Sequence, residues 1–229
     1  MASNQLREEE IESRWEAAPA VAVVIALQLV LAVASRAGGD WQLWGLPWWV
    51  WLVPVVPELA LLVPLAWDRA RHRLEQIGRR RTVALGLLGV ISVANGFLLL
   101  ALIASLVNGT EQGGKQLLLK GVVVWGTNTI AFALWYWGVD RGGPVLRIRP
   151  NPPRPDFQFP QMENPQLAQP GWYPEFFDYV YVSFTNSLAF SPTDAMPLTR
   201  RAKLLMLSQS GISAVTILLV AARAVNIFN

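Results

Sequence analysis

The chain has 229 residues, 53% hydrophobic and 15% charged, with a net charge of +3. It contains no cysteine and a single histidine, His72, which excludes disulfides, thiol catalysis and thiolate metal sites and leaves no usual histidine metal or triad constellation. Its basic residues cluster beside apolar stretches, where orientation and lipid contact explain them, so no nucleic-acid partner is expected. No cofactor is expected either, and a membrane-embedded enzyme ranks last, since without histidine or cysteine in the spans only Glu58 and Asp194 could act as acid or base.

Residues 1–16 form an acidic N-terminal segment, with Glu8, Glu9, Glu10, Glu12 and Glu16. A cleaved export signal starts with a basic region instead, so the first apolar stretch is expected to stay as a span. Four such stretches follow within residues 17–140, at about 17–34, 46–67, 83–107 and 117–138, and a fifth covers about 203–227. A helix rising about 1.5 Å per residue needs about 20 apolar residues to cross about 30 Å of hydrocarbon, and each stretch comes close or exceeds this. The expected fold is therefore an all-α, polytopic transmembrane helix bundle of five or six spans.

The loop after the second stretch carries Arg69, Arg71, Arg73, Arg79, Arg80 and Arg81. So many arginines in a short loop place it in the cytoplasm, against anionic lipid headgroups. Counting spans from that loop puts the N-terminus and the segment after residue 138 on the cytoplasmic side of an inner (plasma) membrane. Trp41, Trp44, Trp48, Trp49 and Trp51 crowd the entrance of the second stretch, and Trp135, Tyr136 and Trp137 the end of the fourth. Such rings prefer the headgroup layer, so they read as interface anchors.

Glu58 lies near the middle of the second stretch, among Pro54, Pro57 and Pro64. An ionised carboxylate there costs several kcal/mol, so it must be protonated, paired or facing a wet cavity. Two readings stay open, a proton or cation site and a protonated acid bonded to a neighbouring helix. The prolines also predict a kink in that helix. Asn95, the Thr127-Asn128-Thr129 run and Ser208-Gln209-Ser210 lie at comparable depths. They read as interhelical hydrogen bonds or as the lining of one polar path.

Residues 141–172 form a proline-rich cytoplasmic linker, expected to be extended and without regular helix or strand. The last region, 173–229, starts with a moderately apolar segment interrupted by Glu175, Asp178, Ser183, Thr185, Asn186, Ser187 and Ser191. At about 18 residues it is marginal as a span. Crossing is favoured over re-entry, because a re-entrant backbone needs protein or water to satisfy its peptide groups. Crossing would nevertheless leave Arg200, Arg201 and Lys203 outside, against the positive-inside trend. Asp194, on the turn before the last helix, reads as a cap of that helix through its carboxylate, as a pore-mouth residue, or as part of a loop with the cap formed through Thr199.

From Asp178-Tyr179-Val180-Tyr181-Val182-Ser183-Phe184-Thr185 to Asp194, Pro197, Thr199 and Lys203, the chain resembles the pore loop and inner helix of two-helix potassium channels. At the filter positions, however, it reads Ala189-Phe190-Ser191-Pro192-Thr193-Asp194. Both filter glycines are missing. Without them, and with Pro192 fixed in φ, a ring of inward-facing carbonyls selective for potassium is not expected. The whole chain more closely resembles an uncharacterised bacterial multi-span family, a domain of unknown function, with a motif matched here by Phe184, Thr185, Phe190, Thr193 and Asp194. That likeness implies architecture and no activity.

The expected function is a channel-like protein or small transporter for an unidentified ion or small solute. The alternative is a non-transporting scaffold or partner subunit. The candidate polar path comprises Glu58, Asn128, Thr185, Asn186, Ser187, Ser191, Thr193 and Asp194. A homo-oligomer is the expected arrangement for a channel, since a symmetric ring could surround a path that one protomer cannot.

Overall fold

The computed structural model describes residues 17–37, 43–67, 79–109, 113–147, 151–190 and 194–228. Of the sequence-derived site residues, Arg69, Arg71, Arg73, Ser191 and Thr193 lie outside them. The fold is all-α, and among the described residues five helical segments are long and apolar enough to cross a membrane, at Ala18–Arg36, Trp48–Ala66, Arg80–Val107, Gly114–Gly142 and Arg200–Val225.

Helix α1 is Ala18–Arg36. A 3-10 segment, Trp48–Leu52, then gives way at Val53-Pro54 to α2, Val55–Ala66. Pro57 falls in the first turn of α2, where a missing N–H is harmless, whereas Pro64 removes a bond within the helix. The change of helix type before Pro54 is where this span departs from a regular α-helix. Helices α3, Arg80–Val107, and α4, Gly114–Val139, follow. The chain leaves α4 through Asp140–Gly142 and Gly143, whose φ of 106° favours glycine; a Cβ there would also sit 3.2 Å from the Gly138 carbonyl oxygen.

Beyond this turn the proline-rich stretch is folded, contrary to the extended path expected of it. It forms α5, Pro144–Arg147; β1, Phe157–Gln158; and α6, Pro160–Glu163. Prolines open both short helices, at the position where a helix has no use for an N–H. Next come α7, Phe176–Ala189; β2, Met196–Pro197; and α8, Arg200–Phe228. β1 and β2 pair antiparallel, Phe157 with Pro197 and Gln158 with Met196.

The chain forms two compact units, one including residues 17–20 and 129–211 and the other residues 21–128 and 212–228. Aromatic packing fills the first. Tyr136 lies 5.1 Å from Phe157, and Phe159 lies 5.3 Å from Tyr179, ring centre to ring centre. The second has an aliphatic core that includes Leu31, Leu98, Leu102, Leu117 and Val124, with Trp51 inside it. Trp51 is therefore no interface anchor. Its ring is buried and its N–H donates to Ser35 Oγ at 2.8 Å, while Trp48 and Trp49 stay exposed.

Candidate functional site

Helix α7 decides the topology of the last third. It has 14 residues, about 21 Å at 1.5 Å each and short of the about 30 Å a crossing needs. Glu175 and Asp178, which look like interruptions of an apolar run, form the capping box that starts it. The Asp178 carboxylate accepts the Glu175 amide at 2.8 Å. The helix ends at Phe190, a left-handed residue with φ 54°, whose amide bonds the Asn186 carbonyl at 3.1 Å.

Both feet of this segment meet at one level. At its start, the Tyr179 hydroxyl donates to Asp140 at 2.6 Å, and Arg147 donates to the Pro174 carbonyl at 3.1 Å. Near its tip, Ser183 donates to the Thr129 carbonyl at 2.6 Å and Thr129 to Ser187 at 3.4 Å. Thr129 lies eleven residues, about 16 Å, along α4 from Asp140. After Phe190 the chain comes back. Asp194 bonds Tyr181, and the Leu198 amide donates to the Asp156 carbonyl at 2.8 Å. The segment is therefore a hairpin, too short to cross, that runs along α4 from the level of Asp140 to that of Thr129 and returns. This overturns the favoured crossing.

The hairpin is held at its base by two fully buried carboxylates. Asp140 accepts the amides of Asp156 at 2.7 Å and Phe157 at 3.2 Å, as well as Tyr179, with Arg147 at 3.7 Å. Asp156 accepts the Arg141 amide at 3.2 Å, the Thr199 hydroxyl at 2.6 Å and the Arg201 guanidinium. Burial alone would raise the Asp156 carboxyl, but hydrogen bonds from Arg201 and Thr199, the Arg201 charge and the Arg141 amide hold it below its ordinary value. Thr199 also accepts the Ala202 amide at 3.3 Å and so caps α8. Asp194 is exposed.

One face of the hairpin is tiled by polar groups that satisfy one another. Asn186 donates to Gln209 at 2.9 Å and to the Met206 carbonyl at 3.1 Å, and its own oxygen accepts Ser210 at 3.1 Å. Tyr136 donates to Gln209, whose amide donates to Ser183 Oγ at 2.6 Å. Ser187 donates to the Phe184 carbonyl at 2.7 Å, and Thr185 to the Tyr181 carbonyl at 2.9 Å. Tyr136 is thus a buried network member and not the interface anchor expected of it.

The other unit is bonded differently. Glu58, fully buried, accepts Gln28 Nε2 at 2.8 Å, and among the described residues Glu58 Oε2 and Gln28 Oε1 have no hydrogen-bond partner. Asn95 donates to Asn128 at 3.2 Å and Asn128 to Ser213 at 3.0 Å. Asn95 Oδ1 and Thr127 Oγ1 are also unpartnered. Gln28 and Glu58 are each the eleventh residue of a 19-residue candidate span, so both stand near the middle of their spans. Of the expected path, Asn186, Ser187 and Thr185 share the hairpin, Asp194 lies on its return, Asn128 belongs to an asparagine–serine chain, and Glu58 is bonded to Gln28. Arg79, Arg80 and Arg81 stand at the start of α3.

Gln28 and the clamp formed by Asp140, Arg147, Asp156 and Arg201 are the residues sequence reasoning passed over. Gln28 carries a usable signal, as a lone amide in an otherwise apolar stretch. The clamp residues look like ordinary charges flanking a span. No family model matches the chain, and no curated protein or solved structure matches it. The five spans define a multi-pass α-helical membrane protein.

Proposed function

We propose that the protein is a small channel-like protein or transporter that passes a cation across a bacterial inner membrane. The observation that carries this reading is the re-entrant hairpin. Backbone that turns back at membrane depth is tolerated only where protein buries it or where it lines a water-filled cavity. The tip of the hairpin is the C-terminal end of α7, which carries the negative end of the helix dipole to mid-membrane. Asp194 adds a carboxylate on the return. Both favour a cation over an anion. The missing filter glycines argue against a potassium-type ring of carbonyls.

Five crossings also remove the charge anomaly of a sixth. Re-entry puts Arg200, Arg201 and Lys203 on the same side as Arg79, Arg80 and Arg81, the cytoplasmic side by the positive-inside trend, together with the N-terminus. The basic loop there contacts anionic lipid. A homo-oligomer is the arrangement that would enclose a path at the hairpin tip.

A non-transporting scaffold or partner subunit is the second reading. The saturated bonding around Asn186 favours it, since cohesion alone accounts for those bonds. Flux from proteoliposomes separates the two. The transport reading predicts release of a monovalent cation above protein-free vesicles, reduced several-fold by Asp194→Asn. Folded protein that passes neither protons, sodium nor potassium would leave the scaffold.

A further inference from the structure

The Gln28–Glu58 pair holds two buried oxygens, Glu58 Oε2 and Gln28 Oε1, that accept nothing, on two groups already joined by a 2.8 Å bond. In hydrocarbon no bulk water can repair this, and an unsatisfied buried acceptor costs about 1–3 kcal/mol, more if charged. Two acceptors lacking a donor are a definite chemical demand: something electropositive must lie against them.

The surroundings do not supply it. Among described residues, the charged groups on the elements packed against α2 are Arg36 on α1 and Arg80 and Arg81 on α3. Arg36 is eight residues from Gln28, about 12 Å along the helix. Gly86 of α3 faces Leu61, so Arg80 and Arg81 lie beyond that point, at the far end from Glu58. No described group of three or more acidic, histidine or cysteine side chains could hold a metal ion there. Hard cations such as calcium and magnesium take about six or more oxygens, whereas this pair offers two. Two oxygens are enough for a proton.

We propose that Glu58 carries one exchangeable proton, donated from Oε2 to Gln28 Oε1, and that this pair is the proton-carrying site of the transport activity proposed above, on which the inference rests. When the proton is bound, the amide and the acid satisfy each other through two opposed hydrogen bonds, and no net charge is buried. When it leaves, the carboxylate keeps only the Gln28 Nε2 bond and must be met by water or by a shift of α1 against α2. Protonation is thereby coupled to the packing of the first two spans, which is what a carrier of protons requires.

Infrared difference spectroscopy on the full chain in lipid nanodiscs, stepped from about pH 5 to about pH 9, reads the proton directly. A carboxylic-acid carbonyl band that appears and disappears reversibly, and is absent in Glu58→Gln, is expected. Gln28→Met should keep the band and shift it to the position of an acid with no hydrogen-bond acceptor. A band missing from the native protein, unchanged by Glu58→Gln, or present but never titrating would overturn the proposal. In liposomes, Glu58→Gln should lower proton flux about ten-fold or more. Proton flux untouched by that substitution overturns the site and leaves the transport reading standing. No flux of any cation from the native protein overturns both, even if the band titrates.

Discussion

The hairpin network around Asn186 and the pair formed by Gln28 and Glu58 are both buried and polar, yet they are bonded in opposite ways. Around Asn186, amide, hydroxyl and phenol groups from α4, α7 and α8 saturate one another. At Glu58, one bond is made and two oxygens are left over. Bulk water does not reach an unpaired group in lipid, so the contrast separates polar residues that hold helices together from those that await something else. Burial alone does not make that distinction; the count of bonds does.

The comparison can be broken or sharpened by substitution, starting with the clamp. Asp140→Ala leaves Tyr179 and two amides without their acceptor and Arg147 without its carboxylate, and should destabilise the protein by about 3–5 kcal/mol, read as loss of thermal stability in detergent. A fall of less than about 1 kcal/mol would mean the hairpin stands without its base. Asn186→Leu removes the bonds to Gln209, the Met206 carbonyl and Ser210 but adds apolar contact, and should cost about 1–2 kcal/mol in the same assay. A neutral result there would undo the claim that this network is cohesive.

Asp156 gives the clamp a pH signature. Its folded-state carboxyl lies below the ordinary value, so the stability it contributes is full above the unfolded carboxylate range and is lost as pH falls through the folded value. Unfolding measured across acid pH should show that decline, and Asp156→Asn should flatten it. Glu58→Gln stands at the opposite end. It keeps an acceptor for Gln28 and adds a donor for its free oxygen, so stability should change by less than about 0.5 kcal/mol. A large loss would put Glu58 with the structural network instead.

The membrane spans were legible because apolar length is a local property, and Glu58 stood out because a charge within such a stretch is conspicuous. The clamp was illegible for the opposite reason. Asp140 meets the amides of Asp156 and Phe157 and the hydroxyl of Tyr179, and Asp156 meets Arg201, over separations of 16 to 45 residues. No periodicity encodes such pairs. Prolines at 144, 160 and 165 signal a break in regular structure, yet each opens a short helical turn. The re-entrant course was one of two readings of a marginal apolar length. Only the shared level of its two feet decides between them.

The chain has no cysteine, so single introduced thiols can report sidedness cleanly. Leu167 and Met196 are both exposed, one before the hairpin and one after it. In right-side-out and inverted vesicles, Leu167→Cys and Met196→Cys should react with an impermeant maleimide from the same face of the membrane. Reaction from opposite faces would mean that the intervening segment crosses, and the hairpin, with the cation path built on it, would be wrong.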